Sequence, residues 1–267
     1  MPDPPAIPDP SPFKMPAVAR VRAHYASLCA AAFSYFGTGS LAGRLLLIDG
    51  LAGEGDALLI AASIAGAASL ALETRVEAVR HCIRNGIVDF AVTTLDEALR
   101  ILKNELRKQQ PIAVLLEREP AGVLAEMVER GAQPDMLRWT QPDAPLKACI
   151  ETLKKRGAQP LPGPLAAEPD PANDVCWRAG DGGSAALRQL DLLAAQVLPH
   201  DDAERQNWVA RAPRYLSRAL RLGRCVTMTG EERAAFIAAV EDRAQHGALA
   251  ARVEIEAAGQ VRSFGGQ

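Results

Sequence analysis

Aromatic residues supply only 4% of the 267-residue chain, and its charge is nearly balanced, with 30 Lys and Arg against 32 Asp and Glu for a net −2. A nucleic-acid binder needs a basic face and rings on which bases stack, so that class is excluded. Long apolar runs are also missing. The longest candidate stretch is cut by Asp49, Glu54 and Asp56, which leaves nothing of the length a membrane span requires. The N-terminus has no basic and then apolar leader pattern. Five cysteines, an odd number without paired spacing, exclude a disulfide scaffold and fit a reducing cytoplasm. The four histidines His24, His81, His200 and His246 form no chelating pair one helical turn apart, so no metal site is expected. No G-x-S-x-G elbow is present, and serine hydrolase chemistry is left without support.

What the chain does have is alternation. Residues 1–16 are proline-rich and lack apolar periodicity, which reads as a loose arm. Val21, Tyr25, Leu28, Ala32 and Phe36 recur every three to four residues, predicting an amphipathic helix over 17–36. Short continuous apolar runs at 44–49 and 112–116 read as strands buried on both faces, and 69–73, 88–92 and 135–137 read as further strands. Helical patterns lie between them at 57–67, 75–85, 95–109 and 119–130, and another follows at 145–157. Thr94 and Glu97 have the spacing of a capping box. Strand–helix alternation at this spacing predicts a doubly wound, Rossmann-like parallel sheet over residues 17–157. Residues 158–183, rich in proline and glycine, read as a linker. Beyond it, 184–258 reads as a smaller α/β segment with helices at 184–197, 202–220 and 231–246 and strands at 225–228 and 252–256, and 259–267 as a tail. Pro213 should kink or break its helix.

The turn Asp49-Gly50-Leu51-Ala52-Gly53-Glu54-Gly55-Asp56 joins the first strand to its crossover helix. In a dinucleotide fold this is where glycines bring backbone N–H groups up to a pyrophosphate. Gly50-x-Ala52-x-x-Gly55 matches G-x-G-x-x-G with alanine at the second glycine, and Glu73 ends the next strand, where a ribose-binding acid belongs. Gly50, Gly53, Gly55 and Glu73 are therefore the candidate cofactor-binding residues. Ala52, Glu54 and Asp56 oppose that reading. A carboxylate about 5 Å from a phosphate costs on the order of 3 kcal/mol at an effective dielectric near 20, and an acid in a helix's first turn already satisfies the dipole. A self-capped turn that binds nothing thus stands beside the nucleotide reading. Arg75 could meet a 2′-phosphate or simply open a solvated helix. Arg138-Trp139, at a strand's carboxyl end, could anchor an anion, plug a pocket or serve an interface. The cysteines read as small core residues.

Several ordered motifs resemble the urocanase (urocanate hydratase) family. They are Tyr35-Phe36-Gly37, Leu41 to Leu47, the 50–57 turn, Ala65-Gly66, Asp89 with Leu95-Asp96-Glu97-Ala98-Leu99, and Glu129 to Asp135. Leu198 to Asp202, Trp208 and Arg224-Cys225 extend the likeness. The resemblance implies a Rossmann-like domain, a homodimer, and a tightly held NAD⁺ that acts as electrophile on the imidazole of urocanate so that water can add. The chain departs from the family where Glu54, Asp56 and Leu58 stand in place of a Met, a Gly and a Gln. It departs again over Met136 to Leu146, which lacks the family's acid and histidine. The family's YGNN and cysteine-bearing CRG segments have no counterpart, and the chain is about half the family's length. These departures predict a urocanase-like protein without hydratase activity that binds a small molecule or a protein partner, with catalytic residues unassigned. The alternative is an NAD-dependent hydratase or lyase acting on urocanate or a related small acid. A turn bearing Asp49, Glu54 and Asp56 would favour a cationic or neutral ligand over an anion.

Overall fold

The structure, a computed structural model, describes residues 15–51, 55–139, 144–161, 172–180, 183–218 and 220–265. The arm at 1–14, the turn residues Ala52, Gly53 and Glu54, and Thr140 to Asp143 lie outside them. The elements of the first half are α1 (Met15–Phe36), β1 (Leu45–Asp49), α2 (Gly55–Ala65), β2 (Ala68–Leu72), α3 (Val76–Asn85) and β3 (Phe90–Val92). They continue with α4 (Leu95–Lys108), β4 (Ile112–Leu116), α5 (Pro120–Glu129), β5 (Met136–Arg138), α6 (Ala144–Lys155) and β6 (Gln159–Pro160).

The six strands form one sheet in the order β3-β4-β2-β1-β5-β6, every pairing parallel. Side chains alternate between its faces, as strand geometry requires. Leu46, Ile48, Ala71 and Leu115 face a core shared with α1, α2 and α3, while Leu47, Leu70, Leu72 and Val114 face a second core under α4, α5 and α6. Apart from the buried Ser69 of β2, the interiors of the strands β1, β2 and β4 are apolar because both faces are covered. The sheet is the doubly wound, Rossmann-like α/β architecture read from the sequence.

Two of its helices end as their residues dictate. Gly86 closes α3 in the left-handed region at φ +64°, the conformation glycine adopts without a steric penalty. At the start of α4 the Thr94 hydroxyl accepts from the Glu97 N–H at 3.3 Å, the threonine half of the expected box.

The later elements are β7 (Asp174–Ala179), α7 (Ser184–Val197), α8 (Ala203–Tyr215), β8 (Gly223–Thr227), α9 (Gly230–Gln245), β9 (Val253–Ala257) and β10 (Gln260–Phe264). They build an antiparallel sheet ordered β10-β9-β7-β8. Its central strand β7, together with β6, falls inside the stretch expected to be a linker, and β10 falls where a tail was expected. Helix α8 holds Pro213 and ends two residues later, well short of 220, because proline offers no N–H to the preceding turn.

Helix α1 packs against α2 on the parallel sheet and against β7 and β8 of the antiparallel one. Its Arg22 pairs with Glu204 of α8 at 2.8 Å, and its Tyr25 ring lies 5.2 Å from that of Trp208. Trp208 in turn donates to the Cys225 carbonyl of β8 at 2.6 Å. No described helix is long and apolar enough to cross a membrane.

Candidate functional site

Strand β1 is flanked by β2 on one side and β5 on the other, so the chain reverses direction across the sheet between β1 and β5. Ligands of open α/β sheets bind at the carboxyl ends of the strands at such a point. Here those ends carry Gly50 after β1, Glu73 after β2 and Arg138-Trp139 at the end of β5.

The turn after β1 is described at its two ends, Gly50 and Gly55. Gly50 sits at φ +63°, where a side chain is strained, and its N–H donates to the Leu72 carbonyl at 2.8 Å. A Cβ on Gly55 would stand 2.9 Å from the Gly50 carbonyl oxygen, so α2 approaches the turn as closely as it does only because residue 55 has no side chain. This is the helix–strand contact the third glycine of the fingerprint serves. Gly53, the fourth candidate together with Glu73, lies outside the described residues, as do Ala52 and Glu54.

Glu73 is brought to this turn and held there. It is 5% exposed and accepts from five donors. Oε2 takes the Leu51 N–H at 3.0 Å and Arg75 Nη2 at 2.7 Å. Oε1 takes the N–H groups of Thr74 and Arg75 at 3.0 and 2.8 Å, and Arg75 Nε at 3.0 Å. A carboxylate has about four lone-pair sites, so these bonds saturate it. Burial alone would raise its pKa, but the Arg75 side-chain bonds, the Arg75 and Leu51 N–H groups and the Arg75 charge outweigh burial and hold it down to about 2. Glu73 is thus a clasp between the β1 turn and the start of α3. Gly50 has the positive φ, and Gly55 the close helix approach, that a pyrophosphate turn requires. The acid that should receive a ribose hydroxyl has its acceptors filled, so the described residues do not make a complete dinucleotide site.

Arg75 accordingly serves Glu73, although its side chain is more than half exposed. Asp56 turns toward α3: its Oδ2 lies 3.0 Å from His81 Nε2, and its Oδ1 accepts from Cys82 Sγ at 3.5 Å. Adjacent residues on a helix such as His81 and Cys82 point about 100° apart. The two oxygens of one carboxylate bridge that angle. Burial first, then the charge of Asp56, pushes the Cys82 thiol up to about 12, so it meets Asp56 as a protonated, weak donor. Trp139 is partly buried against the core under α4, α5 and α6.

Two depressions lie away from this edge. One of about 660 Å³ is lined by Phe90, Arg100, Lys103, Arg107 and Ile112, and one of about 390 Å³ by Arg233, Ile237, Ile255 and Arg262. Among the described residues no three His, Cys, Asp or Glu side chains gather as a metal set would.

Among solved structures the chain is similar to PKMT2 from Rickettsia typhi in complex with AdoHcy, at 10% identity over 70% of this chain. It spans only 29% of that chain's length, and at a TM-score of 0.20 the likeness carries no argument. Residues 21–141, from within α1 to just past β5, match the family model described as the urocanase Rossmann-like domain, which bears out the resemblance read from the motifs of this half of the chain.

Proposed function

We propose that this protein is a urocanase-like Rossmann-fold binding module, taking a small ligand or a protein partner, that does not hydrate urocanate. The observation that carries the reading is the clasp: Glu73 spends its acceptors on Leu51, Thr74 and Arg75 and offers none to a ribose. The segment after β5 supports it, since Met136 to Leu146 supplies neither the acid nor the histidine that the family carries there. A preorganised site for adding water needs donors and acids fixed around the reacting atoms. Purified protein incubated with urocanate, with and without added NAD⁺, is expected to leave the ultraviolet absorbance of urocanate unchanged. Conversion at an enzyme-like rate would overturn the reading.

One observation favours the alternative, an NAD-dependent hydratase or lyase acting on urocanate or a related small acid. The Gly50 and Gly55 backbone keeps the close approach that a pyrophosphate uses. In that case Gly50, Gly53 and Gly55 would hold the diphosphate, and the bound nicotinamide would supply an electrophilic carbon. Mass spectrometry of the denatured protein separates the two readings. Co-purified NAD supports the alternative, and its absence, with no rise in melting temperature on adding NAD⁺ or NADP⁺, supports the module. Like its relatives the chain is proposed to pair as a homodimer in the cytoplasm, which sedimentation and cell fractionation test.

A further inference from the structure

Strands β7 and β8 run antiparallel, with Cys176 directly opposite Cys225. The Met228 N–H donates to the Asn173 carbonyl at 2.8 Å and the Ala179 N–H to the Leu222 carbonyl at 3.3 Å. These two pairs share the register of the cysteines and stand three positions to either side of them. Hydrogen-bonded and non-hydrogen-bonded pairs alternate along an antiparallel ladder, so odd steps from both flanks put Cys176 and Cys225 in a non-hydrogen-bonded pair. There the Cα atoms approach to about 4.5 Å, at the short end of the roughly 4.4–6.8 Å that a disulfide spans. Side chains in such a pair leave the sheet on the same face. That face is opposite Trp177, which packs on Phe236 of α9 with ring centroids 5.1 Å apart. Both thiols are free, Cys176 at 6% exposure and Cys225 at 0%. Either residue alone would be a small core side chain. Two of them, facing one another at that register, make a site.

We propose that Cys176 and Cys225 are an oxidisable dithiol, a modification site that reacts with a small peroxide and closes to a cross-strand disulfide. The Cys176 thiolate, the more exposed, attacks one oxygen of hydrogen peroxide. The S–O bond forms, the O–O bond breaks and hydroxide leaves. The Cys225 sulfur then attacks the sulfenic sulfur, the S–S bond forms, the S–O bond breaks, and the departing oxygen takes the Cys225 proton as water. Two thiols and one peroxide yield one disulfide and two waters, with both sulfurs oxidised and both peroxide oxygens reduced. The bond ties β7 to β8 around the intervening α7 and α8. Burial pushes the Cys225 thiol well above the usual thiol range, so it enters the closing step as the thiol and delivers its proton to the departing oxygen.

The test treats the full chain with hydrogen peroxide over a time course, alkylates the remaining thiols and maps the peptides. The partly exposed Cys149 serves as the internal control for exposure to oxidant. The expected result is loss of two further thiols together, recovered as one Cys176–Cys225 linked peptide that dithiothreitol abolishes. In Cys225→Ser the linked peptide disappears and a Cys176 sulfenic acid is trapped by dimedone. If both cysteines are still alkylated after Cys149 is fully oxidised, or if they overoxidise without linking, the proposal fails. The wild-type map decides this even if the variant does not fold.

Discussion

The two sheets of this chain place their charge in opposite ways. The parallel sheet carries its charged side chains at strand ends, where Glu73 ties the turn after β1 to the start of α3. The antiparallel sheet takes an ion pair inside. Asp191 of α7 accepts from Trp177 Nε1 and from Arg224 Nε, each at 3.2 Å, and Arg224 also donates to the Arg221 and Gly223 carbonyls. Charge at a strand end stays beside a surface where ligands arrive. Charge inside a layer serves packing and costs a great deal if one partner is removed. The first sheet is built to present an edge, the second to brace α1 and α8.

The sharpest way to break that contrast is to remove one member of the interior pair. Asp191→Ala leaves a buried guanidinium without its carboxylate, and Arg224→Ala leaves the reverse. Each is expected to lose about 3–5 kcal/mol in urea unfolding. Burial raises the Asp191 carboxyl in spite of the Arg224 charge and the bonds from Arg224 and Trp177, so its desolvation is only partly offset. Asp191→Asn, which keeps an oxygen for Trp177, should lose less than Asp191→Ala. Equal losses would mean that the charge alone carries the effect and that the oxygen kept for Trp177 adds nothing.

At the strand end the expected effect is smaller. Glu73→Gln removes the charge under which three N–H groups and Arg75 converge, and is expected to lose about 1–3 kcal/mol. The sign with pH follows from the depressed pKa. The Glu73 contribution is complete above the ordinary value of 4.5 and is lost as pH falls toward about 2. Melting temperatures of wild type and Glu73→Gln should therefore converge between pH 4.5 and 2 and run parallel above that window. Were Glu73 a ribose ligand instead, the variant would lose NAD affinity while keeping its melting temperature.

The same contrast explains what could be read from residues alone. Strands such as Leu45–Asp49 and Ile112–Leu116 announce themselves because burial on both faces demands continuous apolar runs. Asp174–Ala179 does not: only Val175, Cys176 and Trp177 interrupt a proline- and glycine-rich stretch, and antiparallel pairing to β8 and β9 supplies what local pattern lacks. Gln260–Phe264 is an edge strand with an exposed face, so its polar residues imitate a tail. At the site, the spacing of Gly50 and Gly55 exposed the turn. That Arg75 would occupy Glu73 was not legible, because the two are separated by a bend and only its backbone geometry folds the guanidinium back. Thr229 and Glu232 were missed as a capping box although they have the same spacing as Thr94 and Glu97, since the helix that follows them has little apolar periodicity to draw attention to its start.

Those two caps give the finest measure of the difference between the halves. At α9 the Thr229 hydroxyl accepts from the Glu232 N–H at 3.2 Å, the Glu232 carboxylate accepts from the Thr229 N–H at 2.8 Å, and Arg205 of α8 clamps that carboxylate at 2.6 and 3.0 Å. At α4 a single bond from the Glu97 N–H to Thr94 is made, on an exposed surface. Replacing an N-cap threonine with alanine costs about 0.5–2 kcal/mol. Thr229→Ala should fall in the upper half of that range, because loosening the first turn of α9 also displaces Glu232 from Arg205. Thr94→Ala should fall near the bottom. Urea unfolding of the two variants side by side ranks them, and an equal or reversed order would show that the α8–α9 ion pair holds its geometry without the cap.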